Sequence, residues 1–405
     1  MHKEEIKQKM KIIGIDNNEE IKKKINKKKL TIAVVIGIVI AIAIILFTVY
    51  VLNKNFRDVV DKYVLMKNIV EDSTASISID ENESNYVYAY DKYITVLNKN
   101  ILSSYNSSGK LESELTIEIS SPVTATNGKY LLIAEKDKNK IYLISGSEKI
   151  WEKDLEGNIT QISVNKNGYV AVILSGTTHK SVIQTFDTAG NELFKTYLSN
   201  TIALDTDISM DNLYLAFAEI NTSGTAIQST IKLVSIQKTK TNPTEAITYT
   251  YTANSGSLIT NIKYQDGNKL VCMYDDSIHV IKNEQDEEIM KLNEENTKIS
   301  FADINLTNYI YRIVEKSSLL STETSVEILN TSSKKTSVYT LNGTTKEVYS
   351  YGGTIAVNLG SEVHFIGTNG WLLKKYISNQ EINKIVICNN FAGVVYRNKI
   401  EIVNL

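Results

Sequence analysis

The chain has 405 residues, 22% of them charged, a formal net charge of −2, and only two cysteines and two prolines. Two isolated cysteines exclude a disulfide framework, and the length exceeds one small core, leaving either several domains or one large repeat domain. Charge is unevenly spread: residues 1–29 carry ten Lys against five acids, whereas from Ser76 onward 30 Lys and Arg face 37 Asp and Glu. A mildly acidic region whose arginines are Arg312 and Arg397 does not make a nucleic-acid surface.

Residues 1–29 are a basic tail too short for a folded domain. Ile6, Met10, Ile13, Ile21 and Ile25 recur among its lysines. That pattern permits a short amphipathic helix on an anionic leaflet, beside the plainer reading of a solvated tail. Residues 30–52 contain 23 residues and no charge. At about 1.5 Å per residue, such a helix spans the roughly 30 Å hydrocarbon layer. The apolar run is too long for a signal-peptide core, and no small-x-small cleavage site follows it. Lys22, Lys23, Lys24, Lys27, Lys28 and Lys29 crowd its N-terminal side. An uncleaved signal anchor is therefore expected in the cell membrane, with the N-terminus cytoplasmic and the bulk of the chain extracellular.

Residues 53–73 continue with Phe56, Val59, Val60, Tyr63, Met66 and Val70 at helical spacing, uninterrupted by Gly or Pro. This predicts a juxtamembrane helix or linker. From residue 74 to residue 405 the character changes. Short runs of Val, Ile, Tyr, Thr and Leu alternate with polar residues and are punctuated by Asn, Gly, Ser and Asp, the pattern of an all-β region.

One phrase recurs there: a strand, a polar turn, then a second strand of mixed charge. It begins at Ile101, Ile141, Val182, Ile231, Ile278, Val326, Val363 and Ile400. A period of about 40–50 residues in an all-β chain points to a propeller with four strands per blade. Before each phrase stands a hairpin, turning at Asn127-Gly128, Asn167-Gly168, Asp211-Asn212 and Asp266-Gly267 in the clearest copies. The expected fold is an eight-bladed β-propeller, with seven as the alternative, behind an N-terminal transmembrane helix. The last repeat has strands near Ile382–Ile387, Gly393–Tyr396 and Lys399–Asn404 and lacks a fourth. An unpaired edge is a liability, so Thr74–Asp80 is expected to pair with Lys399–Asn404 and close the ring.

The strand–turn–strand phrase resembles the repeats of quinoprotein-like and WD40-like eight-bladed propellers. In the quinoproteins the outer strand often begins Gly-Lys-x-x-Trp, and Gly109-Lys110 and Ile150-Trp151 each supply half of that motif. The whole layout resembles a family of uncharacterised single-pass membrane-anchored β-propellers of Gram-positive bacteria. The resemblance implies fold and topology and brings no activity with it.

No catalytic, cofactor-binding or metal-binding residue is assigned, and no cofactor is expected. A quinoprotein dehydrogenase would place Trp in most blades, and the chain has Trp151 and Trp371 alone. No Gly-x-Ser-x-Gly turn and no phosphate-binding Gly-rich loop occurs. His279 and His364 occupy matching places in their repeats, which structural equivalence explains. Asp205, Asp207 and Asp211 could begin a calcium loop but lack its Gly and distal Glu. Asp275-Asp276 and Asp286-Glu287-Glu288 read as solvated turns, Tyr249 and Tyr251 as one strand face, and Cys272 and Cys388 as buried thiols. Long insertions at Asn221–Gln228, Gln237–Ala246 and Glu315–Thr324 mark candidate binding loops. The expected function is a non-enzymatic scaffold in the cell envelope that binds a protein or polymer ligand and no nucleic acid. The alternative is a polymer- or carbohydrate-acting enzyme with carboxylates at the channel mouth.

Overall fold

The computed structural model describes residues 27–53, 56, 60, 64, 73–283, 285–294, 298–317 and 322–405. The tail up to residue 26 and nearly all of the expected juxtamembrane helix lie outside those residues. Two compact units make up the chain, residues 1–69 and 70–405.

In the first unit, α1 (Lys27–Leu52) is one uninterrupted helix. Its stretch Val34–Leu52 is long and apolar enough to cross a bilayer, and none of it is buried. It has no polar face, unlike a helix that packs on a soluble core. Thr48 returns its hydroxyl to the Ile44 carbonyl at 2.8 Å, so this polar side chain is satisfied within the helix.

The second unit contains eight four-stranded antiparallel sheets and is an eight-bladed β-propeller. Strands are numbered β1–β32 along the chain. The innermost strands of blades one to eight are β2 (Asn85–Tyr90), β6 (Pro122–Asn127), β10 (Asn158–Val164), β14 (Ile202–Ile208), β18 (Ile259–Gln265), β22 (Lys298–Asp303), β26 (Glu347–Tyr351) and β30 (Lys384–Ile387). In blades one to seven the inner hairpin turns through a left-handed Gly, Asn or Asp. Gly128, Gly168, Asn212, Asn308 and Gly352 all have positive φ.

Ring closure is as the missing strand implied. The last sheet has the order β1 (Ala75–Ser78), β32 (Lys399–Asn404), β31 (Phe391–Val395), β30. Ala75 pairs with Ile402 and Ile77 with Ile400, antiparallel. The closing strand is shorter than Thr74–Asp80 because Asp80 begins a turn, its Oδ1 accepting the Asn82 amide at 2.9 Å. Likewise Ile382 falls outside β30, since its amide bonds the Gly360 carbonyl of blade seven at 2.8 Å.

Eight hydrophobic clusters form the core, one between each adjacent pair of blades. Middle strands are therefore buried on both faces and read as unbroken apolar runs. Along β7 (Tyr130–Glu135), Leu131 and Ile133 pack toward blade one while Leu132 and Ala134 pack toward blade three. The eighth interface contains Ile77, 3% exposed, beside Val87, Ile94 and Ile400. Burying such a side chain contributes about 1.5–3 kcal/mol, so the N-terminal strand seals the ring through packing as well as hydrogen bonds. Between blades two and three, Trp151 lies on Gly190 and donates its indole N–H to the Thr188 carbonyl at 3.2 Å. A Cβ at Gly190 would stand 2.9 Å from the indole Cγ, and φ there is +83°, so only glycine lets the ring seat.

Four consecutive inner strands carry the same irregularity. β10, β14, β18 and β22 each slip by one residue near their start, at Ile159/Gln161, Ala203/Asp205, Ile259/Asn261 and Ile299/Phe301. The extra residue reverses the side-chain alternation beyond it. In blades three and five the extra residue is a threonine, whose hydroxyl returns to the partner strand: Thr160 to Ile173 at 3.1 Å and Thr260 to Met273 at 3.2 Å.

Candidate functional site

The bulges place two tiers of polar side chains at the central channel. Gln161, Asp205 and Asn261 are equivalent in the first tier; Ser163, Asp207, Lys263 and Asp303 are equivalent in the second. They line a cavity of about 640 Å³. Gly128, Met210, Thr307 and Gly352, all in inner-hairpin turns, complete its wall, so it opens at the hairpin end of the propeller. Strand β1 begins at that same end, where a side chain at Gly109 would meet Ala75 at 3.5 Å.

The charged groups in the cavity are tied to neighbouring blades. Asp205 accepts the Gln161 amide at 3.0 Å and the Thr206 N–H at 2.9 Å, and its other oxygen accepts the Ile262 N–H at 2.8 Å. Asp207 accepts the Tyr264 N–H at 2.8 Å and pairs with Lys263 at 3.1 Å. An inner strand has one hydrogen-bonding edge with no strand beside it, and buried amides there need acceptors. The two aspartates provide them, stitching β14 to β18. Burial pushes both carboxyls above the ordinary range, against the hydrogen bonds they accept. Asp303 accepts the Ser350 hydroxyl at 3.0 Å and the Asn305 N–H at 2.6 Å, joining blades six and seven.

Bonds between successive hairpin turns brace the mouth. The Asp91 N–H reaches the Gly128 carbonyl at 3.1 Å and the Asn389 N–H reaches the Asp91 carbonyl at 3.3 Å. Asn165 donates to the Ser209 carbonyl at 3.0 Å, Asn268 to Asp211 at 2.5 Å, and Gln265 to the Leu306 carbonyl at 2.9 Å. Asparagine and glutamine, placed where turn chemistry already favours Asn, thus set the relative heights of the blades around the opening.

Other residues singled out in the sequence lie elsewhere. Asp211 sits at a hairpin turn bonded to Ser209, Leu213 and Asn268, apart from the carboxyls of Asp205 and Asp207. Among the described residues, no group of three His, Cys, Asp or Glu is placed to hold a metal ion. His279 lies between Asp286 and Ser277, both at 3.0 Å, and His364 between Tyr339 at 2.8 Å and Glu362 at 2.9 Å. Both are in the third strands of their blades, β20 (Ser277–Lys282) and β28 (Glu362–Gly367), and neither lines the cavity. Burial pushes the His364 imidazole below its usual range. Cys272 and Cys388 are buried free thiols, both pushed up by burial.

Asp286-Glu287-Glu288 is not a turn. It lies inside β21 (Gln285–Lys291), because the chain has already reversed at Asn283, where φ is +50°. Asp286 faces inward there, bonded to His279 and to the Tyr251 hydroxyl at 2.8 Å. Tyr249 and Tyr251 do share a half-buried strand face. None of the described residues of the three insertions lines the cavity. The segment Gln237–Ala246 contains a short helix, Lys238–Thr241, and a 3-10 turn, Pro243–Glu245, in place of extended chain.

Residues 67–405 match DUF5711, described as a family of unknown function. No curated protein matches the chain. Among solved structures, the C-terminal WD40 domain of Sif2 superposes with a TM-score of 0.54 and 12% identity, over 82% of this chain and 99% of that one. BamB from Moraxella catarrhalis gives a TM-score of 0.48 and 12% identity, over 82% and 97% of the two chains. At such identities the likeness concerns the fold alone.

Proposed function

The chain belongs to DUF5711, a family of unknown function, and on that premise we propose a single-pass membrane protein whose propeller is a non-enzymatic scaffold outside the cytoplasmic membrane. It holds an envelope protein or polymer at the channel mouth. The anchor reading is supported by Val34–Leu52, apolar and unburied, with six lysines between Lys22 and Lys29 ahead of it. Excess Lys and Arg marks the cytoplasmic flank, which sets the propeller outside.

The observation that carries the scaffold reading is the commitment of the cavity's charged groups. Asp205, Asp207, Lys263 and Asp303 each satisfy a neighbouring blade. A general acid or base needs a proton within hydrogen-bond reach of substrate, and these carboxyls are spent on holding the ring. What is left is a braced, polar concavity of about 640 Å³, a size suited to binding. Chemical crosslinking in intact cells followed by purification of the detergent-solubilised full chain tests this. One recurring envelope partner is expected; a chain recovered repeatedly without any partner overturns it.

A second reading is favoured by Asp205 and Asp207 standing two residues apart on one strand, about 6–7 Å along it, with carboxyls pushed up by burial. That is the raw material of a polymer-cleaving acid pair. It requires release of reducing ends from envelope polysaccharide by the wild-type chain and none by Asp207→Asn. No release by the wild type closes this reading.

A further inference from the structure

We infer that the channel cavity receives a neutral, hydroxyl-rich saccharide, a ligand class that rests on the binding role proposed above. With the charged groups tied into the ring, the cavity's spare hydrogen-bonding capacity belongs to alcohols and carboxamides. Thr124 and Thr126 on β6, Asn261 on β18, and Asn305 and Thr307 just after β22 all line the cavity. Their side chains make no hydrogen bond to the other described residues.

Placement matters as much as type. Thr124 and Thr126 are two apart on one strand and project on one face. Blades two and six stand opposite each other in an eight-bladed ring, so Thr124 and Thr126 line one side of the cavity and Asn305 and Thr307 the other. A threonine hydroxyl and an asparagine amide each donate and accept. Groups of that kind on opposing walls match a ligand whose own groups both donate and accept, and that is the chemistry of a sugar hydroxyl. A phosphate or carboxylate would need unpaired cationic donors, and Lys263 is already paired with Asp207 at 3.1 Å. A divalent cation would need free carboxylates. A peptide would need apolar recesses for its side chains, whereas the lining is mostly Thr, Ser, Asn, Gln and Asp. Burying a sugar here also respects the rule that buried polar groups must be matched, since each wall residue left unmatched would be penalised.

The test is isothermal titration of the full chain in lipid nanodiscs with maltotriose, cellotriose and chitotriose, alongside trigalacturonate and trialanine. At least one neutral trisaccharide is expected to bind saturably and more than tenfold tighter than either control. The double variant Thr126→Val with Asn261→Leu is expected to weaken that binding at least tenfold, while Thr250→Val on an outer strand leaves it unchanged. Thermal unfolding of the double variant verifies its fold, and Asn305→Ala replaces it if the fold is lost. The inference is overturned if no neutral trisaccharide binds, if a control binds as tightly, or if the folded cavity variant binds like wild type. A crosslinked envelope partner recovered while all three saccharides fail would overturn the ligand class and leave the scaffold reading standing.

Discussion

Asp207 on the fourth blade accepts the backbone N–H of Tyr264 on the fifth at 2.8 Å, closing an edge that has no strand beside it. The same carboxylate holds Lys263 at 3.1 Å. A side chain that is 2% exposed thus compensates one buried amide and one partly buried ammonium. Asp207→Ala leaves both without a partner and is expected to cost about 3–5 kcal/mol. Asp207→Asn, which keeps an acceptor, is expected to cost less. Urea unfolding of the full chain measures both; equal stability of Asp207→Ala and wild type would contradict the stitching.

Glu135 is one source of pH dependence. It is 3% exposed and accepts the Ser120 N–H at 2.5 Å, the Ser120 hydroxyl at 2.8 Å, the Ser121 N–H at 3.1 Å and the Lys138 ammonium at 3.1 Å. Burial opposes ionisation, but these donors outweigh it and hold the carboxyl below its ordinary value of 4.5. A group whose pKa is lower in the folded state stabilises above its unfolded pKa. That contribution fades as pH falls from about 4.5 through the folded value. Glu135→Gln is expected to cost about 1–3 kcal/mol at pH 7 and to flatten the loss of stability below pH 4.5. Thermal unfolding between pH 3 and pH 7 measures it, and an unchanged acid limb would contradict it.

Closure by β1 makes the ring depend on a strand from the opposite end of the chain. Ile77 is its deepest residue, 3% exposed against Val87, Ile94 and Ile400. Ile77→Ala is expected to destabilise by about 2–4 kcal/mol, and Ile77→Asp to open the seam to protease. Limited proteolysis of the full chain, with fragments identified by mass, reads this. Wild-type resistance of the Asp variant would contradict a structural seam.

The proposed topology is tested by labelling. Ser107→Cys lies at an exposed turn of blade one, while the native Cys272 and Cys388 are buried. A membrane-impermeant maleimide on intact cells is expected to label Ser107→Cys and to leave Asn17→Cys, in the basic tail, unlabelled until the membrane is permeabilised. The opposite pattern would contradict the assigned orientation.

Much of the fold is legible in the chain because a propeller repeats itself. The Asn-Gly and Asp-Asn turns, the apolar middle strands and the missing last strand each report a local rule, and eight repetitions reinforce it. The channel is harder to read. Period-two alternation puts residues i and i+2 on one face, but the bulges at Thr160, Leu204, Thr260 and Ser300 shift the register of everything after them. Asp205 and Asp207 could be singled out as a cluster. That they meet Ile262 and Tyr264, over fifty residues away, depends on the height of one blade against the next. Asp286 was obscured for a simpler reason: three consecutive acids resemble a solvated turn, and its inward partners His279 and Tyr251 belong to other strands.

The central claim is that the channel mouth is the working surface of an envelope scaffold. Site-specific photocrosslinking from Asn305 and Asn389, both exposed beside the cavity, compared with Thr250 on an outer strand, tests it most directly in intact cells. One discrete adduct, formed from both mouth positions and absent from Thr250, is the expected result. No adduct from the mouth, or the same adduct from Thr250, would contradict the account.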